Sequence, residues 1–299
     1  MEGLTTAVFR RLHHQYFGGT DLYYIPFITP TVEPKFTDRH LKELSPEVNA
    51  GIPVVPQLLS NRSADFIWAA KALQDLGYKE VNLNLGCPSG TVTAKGKGSG
   101  MLRDPVKLDA FLAAVFANAE GPISVKTRLG VEKPEEFTAI LDIYNRYPIC
   151  ELTIHPRVMR QLYRGQADRA AFAASLPGCR MPVCYNGDVT TAADLHTLEA
   201  QYPQLSGIMI GRGFIALNLR DHAAERVRVG FQQQRVLRVF AAQINQHAAL
   251  AGDFRVVPHL GELLLHILRR ILRIPRRAVN PQQPHGIFQR KLRVLFLHN

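Results

Sequence analysis

Short β-branched runs alternate with longer amphipathic runs along the first three-quarters of the chain, and this alternation limits the folds it can adopt. Each short run has the length of a buried strand, and the longer runs repeat apolar residues at helical spacing. Strands that alternate with helices form parallel β/α units, because a crossover helix carries the chain back to the start of the next strand. The predicted strands are residues 21–28, 53–58, 80–84, 122–127, 151–155, 182–186 and 207–210.

Helical patterns fill the gaps between these strands, and one more precedes them. They are expected at 5–16, at 63–76 with Ser63 as N-cap, at 105–118 after Asp104 and Pro105, and at 190–200 after Thr190 or Thr191. Seven strands behind a helix predict an α/β fold of the (β/α)8 TIM type whose first strand is truncated. A doubly wound sheet is the alternative, but no Gly-x-Gly-x-x-Gly turn follows an early strand.

The net charge of +11 is concentrated in the last quarter of the chain. Residues 1–219 hold 22 Lys/Arg and 21 Asp/Glu, whereas residues 220–299 hold 14 Lys/Arg and four acids, a net of +10. Thirteen of those 14 cations are arginine, which binds phosphate through a two-pronged fork. This distribution predicts a neutral core with an appendage that binds a polyanion. A merely solvated basic face is the alternative.

Two helical patterns, over 231–249 and 259–273, fall in this basic quarter. They predict a barrel domain over residues 1–222 and a small all-α domain over 223–299. Within the second helix, Arg269, Arg270 and Arg273 recur on the side opposite the apolar stripe, so they are candidate contacts for the polyanion. Residues 278–299 show no clear pattern.

Several other classes of protein are excluded by composition. No apolar run reaches the roughly 18 residues that a membrane span needs, and the first residues lack the layout of a secretion signal. The four cysteines have neither metal-ligand spacing nor the density of a disulfide scaffold. The sequence predicts a cytoplasmic protein, expected to be a monomer, with no metal and no membrane partner.

Polar residues stand where the apolar strands end, and in parallel β/α barrels these ends share one rim that carries the working residues. They are Gln57, Asn84 to Pro88, Lys126 to Arg128, His155 to Arg157, Asn186 to Asp188 and Gly211 to Gly213. The last two groups predict a phosphate cradle, in which Gly187, Gly211 and Gly213 expose backbone N–H groups and Arg212 adds a charged fork. A plain Gly-Arg-Gly turn is the alternative.

Lys126 and Cys87 are the two candidates for reactive or charged chemistry. Lys126 follows the apolar residues of its strand, where an unpaired ammonium is costly, so it needs an anionic or strongly accepting partner. There are three alternatives: Lys126 contacts the edge of a flavin, it forms a Schiff base with a substrate, or it is part of a structural ion pair. Cys87 opens a loop rich in glycine and lysine, which we expect to be mobile and open. It is therefore a candidate nucleophile, redox thiol or proton donor, and a buried inert thiol is the alternative.

The motifs at these predicted strand ends together resemble those of the tRNA-dihydrouridine synthases. The resemblance covers residues 1 to about 215, and its most distinctive part is Asn82-Leu83-Asn84-Leu85-Gly86-Cys87-Pro88-Ser89 with the loop through Pro105. The other matching motifs, in the same order, are Met1 to Thr5, Ser124 to Gly130, His155-Pro156-Arg157 with Tyr163, Asn186-Gly187-Asp188 and Gly211-Arg212-Gly213.

The resemblance implies an FMN-dependent oxidoreductase that uses NADPH to reduce a uridine of tRNA at C5–C6. Hydride would reach C6 from reduced FMN, and Cys87 would protonate C5. The FMN-binding residues that it implies are Met1, Gln57, Lys126, His155, Asn186, Gly187, Asp188, Gly211 and Arg212. Asn84 and Arg157 would lie beside the uracil, while the basic C-terminal domain, with Arg269, Arg270 and Arg273, would hold the tRNA.

Two departures from the family pattern keep other hypotheses open. The strand and Ala-Pro that usually precede Met1 are absent, which implies either an upstream start or a barrel open at one seam with weaker FMN binding. The C-terminal quarter also matches poorly, notably at residues 256–260. The alternatives are a non-catalytic RNA-binding relative, a flavin reductase of a small molecule, and a lysine-dependent aldolase.

Overall fold

The computed structural model describes residues 5–16, 19–213 and 292–294. Its helices are α1 (Ala7–Tyr16), α2 (Asp38–Leu44), α3 (Ser63–Asp75), α4 (Gly90–Thr93), α5 (Pro105–Asn118), α6 (Phe137–Tyr144), α7 (Arg169–Ser175) and α8 (Ala192–Gln201). Its strands are β1 (Leu22–Tyr24), β2 (Val54–Val55), β3 (Gln57–Leu58), β4 (Val81–Leu85), β5 (Ile123–Gly130), β6 (Leu152–Val158), β7 (Val183–Asn186), β8 (Gly207–Ile210) and β9 (Leu292–Val294). Short 3₁₀ turns connect several of these elements.

All the strands pair in parallel in a single sheet, in the order β2-β1-β9-β8-β7-β6-β5-β4-β3. The two strands at the ends of that order, β2 and β3, are neighbours in the chain and are separated only by Pro56. The parallel sheet is therefore curled, as in a TIM-barrel-like fold. Each of the seven predicted strands is confirmed within a few residues.

The sequence left two alternatives, an upstream start or a barrel open at one seam, and β9 (residues 292–294) pairs with both β1 and β8 at that seam. This strand lies between β1 and β8, with Arg293 opposite Leu22 on one side and Met209 on the other. Because β9 falls within 278–299, the sequence analysis missed an element of the sheet there: three residues flanked by no turn signal are too few to show a period.

The chain divides into two compact units, residues 1–214 with 291–299, and residues 215–290. The second unit lies outside the described residues, and so do the predicted helices over 231–249 and 259–273. Among the described helices, none has the length and apolar character that crossing a membrane requires.

The sheet is buried on both faces, as expected when helices cover a parallel sheet. Every residue of β4, β5 and β6 is buried, and α3 contributes Phe66, Ala69 and Leu73 to the core around them. The predicted caps hold at Asp104 and Thr191, whose side chains accept the N–H of Lys107 and Asp194. The predicted Ser63 cap is wrong, because Ser63 is already the first helical residue.

Candidate active site

A hydrogen-bonded chain of side chains crosses β3, β4 and β5. Gln57 donates from Nε2 to Asn82 Oδ1 (2.7 Å) and accepts at Oε1 from Asn84 Nδ2 (2.7 Å), while Asn82 donates to Ser124 Oγ (2.8 Å). All four residues are buried. Their mutual bonds fix each amide orientation, so this side of the rim is rigid before any ligand arrives.

Asn84 also holds the residue that follows β4. Its Oδ1 accepts the backbone N–H groups of Gly86 (3.0 Å) and Cys87 (2.9 Å), while Ser99 donates both its N–H and its hydroxyl to the Cys87 carbonyl. Cys87 is 2% exposed. The expectation of an open thiol is therefore wrong, because the loop folds back over it.

Gly98 makes that covering possible. Its φ of +57° is accessible mainly to glycine, and a Cβ on it would lie 2.6 Å from the Cys87 carbonyl oxygen. The glycines of this loop, which the sequence analysis took as a sign of mobility, are thus also needed for close packing.

Lys126 lies in the middle of β5 and is completely buried. Its Nζ has no hydrogen-bond partner among the described residues, so the structural ion pair considered from sequence is not found there. Burial, followed by repulsion from Arg128, lowers the pKa of Lys126 to about 7. An ammonium in this position needs an accepting group from outside the described chain.

Arg128 is a site residue that the sequence analysis did not assign a role. Its Nε donates to the Gly86 carbonyl (2.9 Å), and its Nη1 donates to the carbonyls of Val158 (3.0 Å) and Leu162 (2.6 Å). It therefore ties the turn before Cys87 to the loop after β6. Arg128 could have been predicted as a site residue, because it stands two residues after Lys126 in the same buried strand and two cations on one buried strand rarely serve packing alone.

Tyr163 lies between two guanidinium groups in this loop. Its ring is 5.2 Å from Arg128 Cζ and 5.3 Å from Arg212 Cζ, and it stacks on the imidazole of His155. Burial raises the pKa of Tyr163 to about 12, so the ring remains a neutral platform. The residue before it, Leu162, has a φ of +52°, which is unusual for leucine.

His155 and Arg157 on β6 form a second hydrogen-bonded chain with Asp188, which follows β7; the first two are buried and Asp188 is half-buried. Arg157 Nη1 lies 2.9 Å from His155 Nε2, and Arg157 Nη2 donates to Asp188 Oδ2 at 2.6 Å. Arg212 also reaches Asp188, at Oδ1 (3.3 Å). Arg157 is 1% exposed and engaged with protein atoms at all three of its nitrogens.

A cleft opens where β6, β7 and β8 end. It is lined by His155, Tyr163, Asn186, Gly187, Asp188, Val189, Thr190, Met209, Ile210, Gly211, Arg212 and Gly213. At its edge Gly213 packs so closely on the Val189 carbonyl that a Cβ would overlap it. Six of the predicted cofactor residues therefore share one cleft: His155, Asn186, Gly187, Asp188, Gly211 and Arg212.

The remaining predicted site residues have separate positions. Gln57 and Asn84 lie on β3 and β4, Cys87 follows β4, and Lys126 lies in the middle of β5. Charge interactions link Lys126 both to Cys87 and to His155. Arg157 lies beneath His155. Met1, Arg269, Arg270 and Arg273 fall outside the described residues.

The residues present fit a ligand that has a ring with acceptor atoms and an anionic tail. Lys126 Nζ, His155 Nδ1 and Asn186 Oδ1 are buried without a hydrogen-bond partner in the described part of the chain. Such orphaned groups are costly unless a ligand satisfies them. Cationic Arg212 and three glycines lie at one end of the same rim, as FMN with its phosphate requires.

Comparison with known proteins agrees with this geometry. The family model described as "Dihydrouridine synthase (Dus)" matches residues 1–263. The chain belongs to the dihydrouridine synthase family. The match extends beyond the residue at which the sequence resemblance ended, about 215, into the basic quarter of the chain.

Curated relatives of this dihydrouridine synthase family member are about 30% identical to it. A "Probable tRNA-dihydrouridine synthase" of Rhodobacter capsulatus is 30% identical over 214 residues, covering 71% of this chain and 65% of its own length. "Probable tRNA-dihydrouridine synthase 1" of Synechocystis sp. is 32% identical over 218 residues (71% and 59%), and "tRNA-dihydrouridine synthase B" of Pasteurella multocida is 28% identical over 214 residues (71% and 63%). The matches thus span about 60–65% of the length of these relatives.

Proposed function

We propose that the chain reduces a uridine of tRNA to 5,6-dihydrouridine, with FMN bound at the rim and NADPH as the reductant. In that reaction a hydride adds to C6 and a proton to C5, so the ring gains two hydrogens while NADPH is oxidised. The observation that carries the proposal is the set of three buried unpartnered atoms, on Lys126, His155 and Asn186, at one rim of a family member.

FMN would be held along the rim of a barrel that we propose is closed, with β2 and β3 counted together as one of eight strands. Lys126 would contact the electron-accepting edge of the ring, and Gln57 would bond another edge. Gly187, Gly211 and Arg212 would hold the phosphate, with Asp188 orienting Arg212 and Met1 completing the site. When bound and reduced, FMN would supply the hydride.

Lys126 has a protonation state that suits this chemistry. With a pKa lowered to about 7 by burial, it can exist as an amine or as an ammonium near neutral pH. A neighbouring ligand that gains negative charge favours the ammonium. Lys126 would therefore stabilise charge on the ligand by taking up a proton at Nζ.

Cys87 is proposed as the group that gives the proton to C5 of the uracil. Its backbone is held from two sides, by Asn84 at the N–H and by Ser99 at the carbonyl, so the Sγ position is set by the fold. A donor needs fixed geometry more than exposure, and the loop over it excludes water. The base must leave the RNA stack to reach this rim.

The tRNA would be held by the basic quarter of the chain, in which Arg269, Arg270 and Arg273 remain predicted contacts. Asn84 is proposed to lie beside the uracil. A monomeric, cytoplasmic protein remains the expectation from sequence. The proposed division into a catalytic domain over 1–222 and a basic helical domain over 223–299 needs one adjustment, since β9 belongs to the sheet.

The test is dihydrouridine formation in unmodified tRNA by the full chain with FMN and NADPH, measured by mass spectrometry of nucleosides. Cys87→Ala should retain FMN and oxidise NADPH but form no dihydrouridine. Cys179→Ala is the matched control, because burial raises the pKa of that thiol to about 11 and the thiol donates to the Ser175 carbonyl, away from the rim residues. Product from Cys87→Ala at the parent rate would refute the proton-donor role, and flavin-loaded protein without product would refute the function.

Schiff-base chemistry is a second candidate, because a buried lysine with a lowered pKa is what it requires. Borohydride treatment with an aldehyde or ketone substrate would trap a covalent adduct on Lys126 if this reaction occurs. The proposed reductase predicts no adduct.

A further inference from the structure

The imidazole of His155 has one satisfied nitrogen and one orphaned nitrogen. Nε2 lies 2.9 Å from Arg157 Nη1, while Nδ1 is buried and has no hydrogen-bond partner in the described part of the chain. His155 lines the cleft at the end of β6. The position of the ring proton therefore decides whether Nδ1 is a hydrogen-bond donor or an acceptor toward a ligand in the cleft.

Arg157 decides this question through its chemistry. A guanidinium only donates hydrogen bonds, so the contact at 2.9 Å requires His155 Nε2 to be the acceptor. The single proton of a neutral imidazole must then lie on Nδ1. Doubly protonated His155 would direct an N–H at an N–H and lose this bond.

The charges around the ring also favour the neutral form. Arg128, Lys126, Arg157 and Arg212 are the cations that act on His155, and together with burial they hold its pKa well below the ordinary value. Asp188 is the nearby acid, but it is committed to Arg157 and Arg212. No carboxylate among the described residues bonds the imidazole.

Arg157 is itself fixed in place. Its Nη2 donates to Asp188 Oδ2 (2.6 Å) and to the Gly165 carbonyl (2.7 Å), and its Nε donates to the Arg164 carbonyl (3.3 Å). Asp188 Oδ2 also accepts the N–H of Ala167 (2.7 Å). With these bonds satisfied and 1% exposure, Arg157 has little freedom to turn toward a substrate.

We propose that Arg157 is a positioning residue, which holds His155 as the neutral tautomer with its proton on Nδ1. The cleft then presents a neutral N–H donor to an acceptor oxygen of the bound cofactor. This inference rests on the proposed FMN site, and it replaces the predicted contact between Arg157 and the uracil. It explains how a histidine can lie beside four cations: the neutral ring donates a hydrogen bond without adding a fifth charge.

The tautomer can be measured directly on the full chain without added cofactor. In a ¹⁵N–¹H correlation spectrum of histidine-labelled protein, signals of His155 are identified among the 11 histidines by their absence in His155→Asn. We expect a protonated Nδ1 and an unprotonated Nε2 that do not change between pH 6 and pH 8. A proton on Nε2, or titration in that range, would overturn the proposal.

Three variants separate positioning from general packing. Arg157→Lys keeps a donor-only group and should keep the Nδ1–H tautomer, whereas Arg157→Gln can accept and should allow the Nε2–H form to appear. Asp188→Asn weakens the support of Arg157 without touching the imidazole and should keep the tautomer. If Arg157→Gln leaves the tautomer unchanged, or if Asp188→Asn changes it as much, Arg157 is not its determinant.

Binding measurements test the consequence for the ligand. Loss of one donor to a buried acceptor weakens binding on the order of tenfold, so Arg157→Gln should bind FMN about tenfold less tightly while Arg157→Lys recovers most of it. Riboflavin, which lacks the phosphate, shows which part of the ligand accepts the hydrogen bond from His155. If Arg157→Gln loses affinity equally for both ligands, the acceptor lies in the ring or the ribityl chain. If it loses affinity for FMN alone, the acceptor is the phosphate. No loss for either would refute the donor role, whereas failure of the parent protein to bind FMN would refute the proposed function and leave the tautomer result intact.

Discussion

Replacing Lys126 with methionine should make the ligand-free protein more stable and its cofactor binding weaker. Burial lowers the pKa of Lys126 to about 7, from an ordinary value of 10.5 in the unfolded chain. Below pH 7 the folded state must protonate a buried amine, and this cost is fully present there. It disappears as the pH rises from about 7 toward 10.5, because the unfolded chain binds more protons in that window.

The expected magnitude follows from the two pKa values. At ~1.4 kcal/mol per pKa unit, the difference between 10.5 and about 7 destabilises the fold by about 5 kcal/mol near neutral pH. Lys126→Met removes the titrating group and keeps a linear side chain of similar length. The free energy of unfolding of the variant should therefore be higher by about this amount at pH 7, and the gap should narrow as the pH approaches 10.

Urea unfolding of ligand-free protein between pH 6.5 and pH 9.5 measures this effect. Lys71→Met is the matched control, since Lys71 is exposed on α3 beside Asp75 and should change stability by less than about 0.5 kcal/mol. A variant at position 126 that is less stable than the parent at pH 7, or that keeps the parent's pH dependence, would contradict the reasoning.

Cofactor affinity should change in the opposite direction. An anionic or charge-accepting ligand restores the ammonium, so FMN binding by the parent should take up a proton and weaken as the pH rises above about 7. Lys126→Met should bind FMN less tightly and without this pH dependence. Equal affinity and equal pH dependence in both proteins would mean that Lys126 does not face the ligand.

Three further changes test the framework of the site. Asn84→Leu removes the oxygen that accepts the backbone N–H groups of Gly86 and Cys87. The variant should lower the free energy of unfolding, measured in urea, by about 2–4 kcal/mol. Arg128→Met frees three carbonyls and should increase hydrogen–deuterium exchange in residues 158–163, with unchanged exchange counting against the clamp. Arg293→Pro removes a backbone N–H from β9 and should lower the melting temperature by several degrees relative to Arg293→Ala, whereas equal melting would show that β9 does not support the sheet.

The strand pattern could be predicted from sequence because the strands from β1 to β8 fall in short runs rich in apolar and β-branched residues, separated by longer helical patterns. The polar rim could be predicted as well, since Gln57, Lys126 and His155 lie near the ends of the strands predicted from sequence. The carboxyl ends of parallel strands share one edge of the sheet, so the proximity of residues far apart in sequence can be predicted from the topology alone.

The parts that could not be predicted depend on contacts between distant segments. The covering of Cys87 requires Gly98 to approach its carbonyl, and glycine spacing alone is equally consistent with a mobile loop. β9 is three residues long, and its position is set by the gap between β1 and β8 rather than by its own pattern. Arg157 is likewise held by a hydrogen bond to Asp188, and the sequence gives no sign of this contact because the two residues are 31 positions apart.

The central claim is that the rim around Lys126, His155 and Arg212 binds a flavin. The most direct measurement is the absorbance spectrum of freshly purified full chain, with the supernatant analysed after denaturation. The account predicts a yellow protein that releases FMN, and a Lys126→Met preparation that retains less of it. A colourless protein that takes up no FMN when it is supplied would contradict the account.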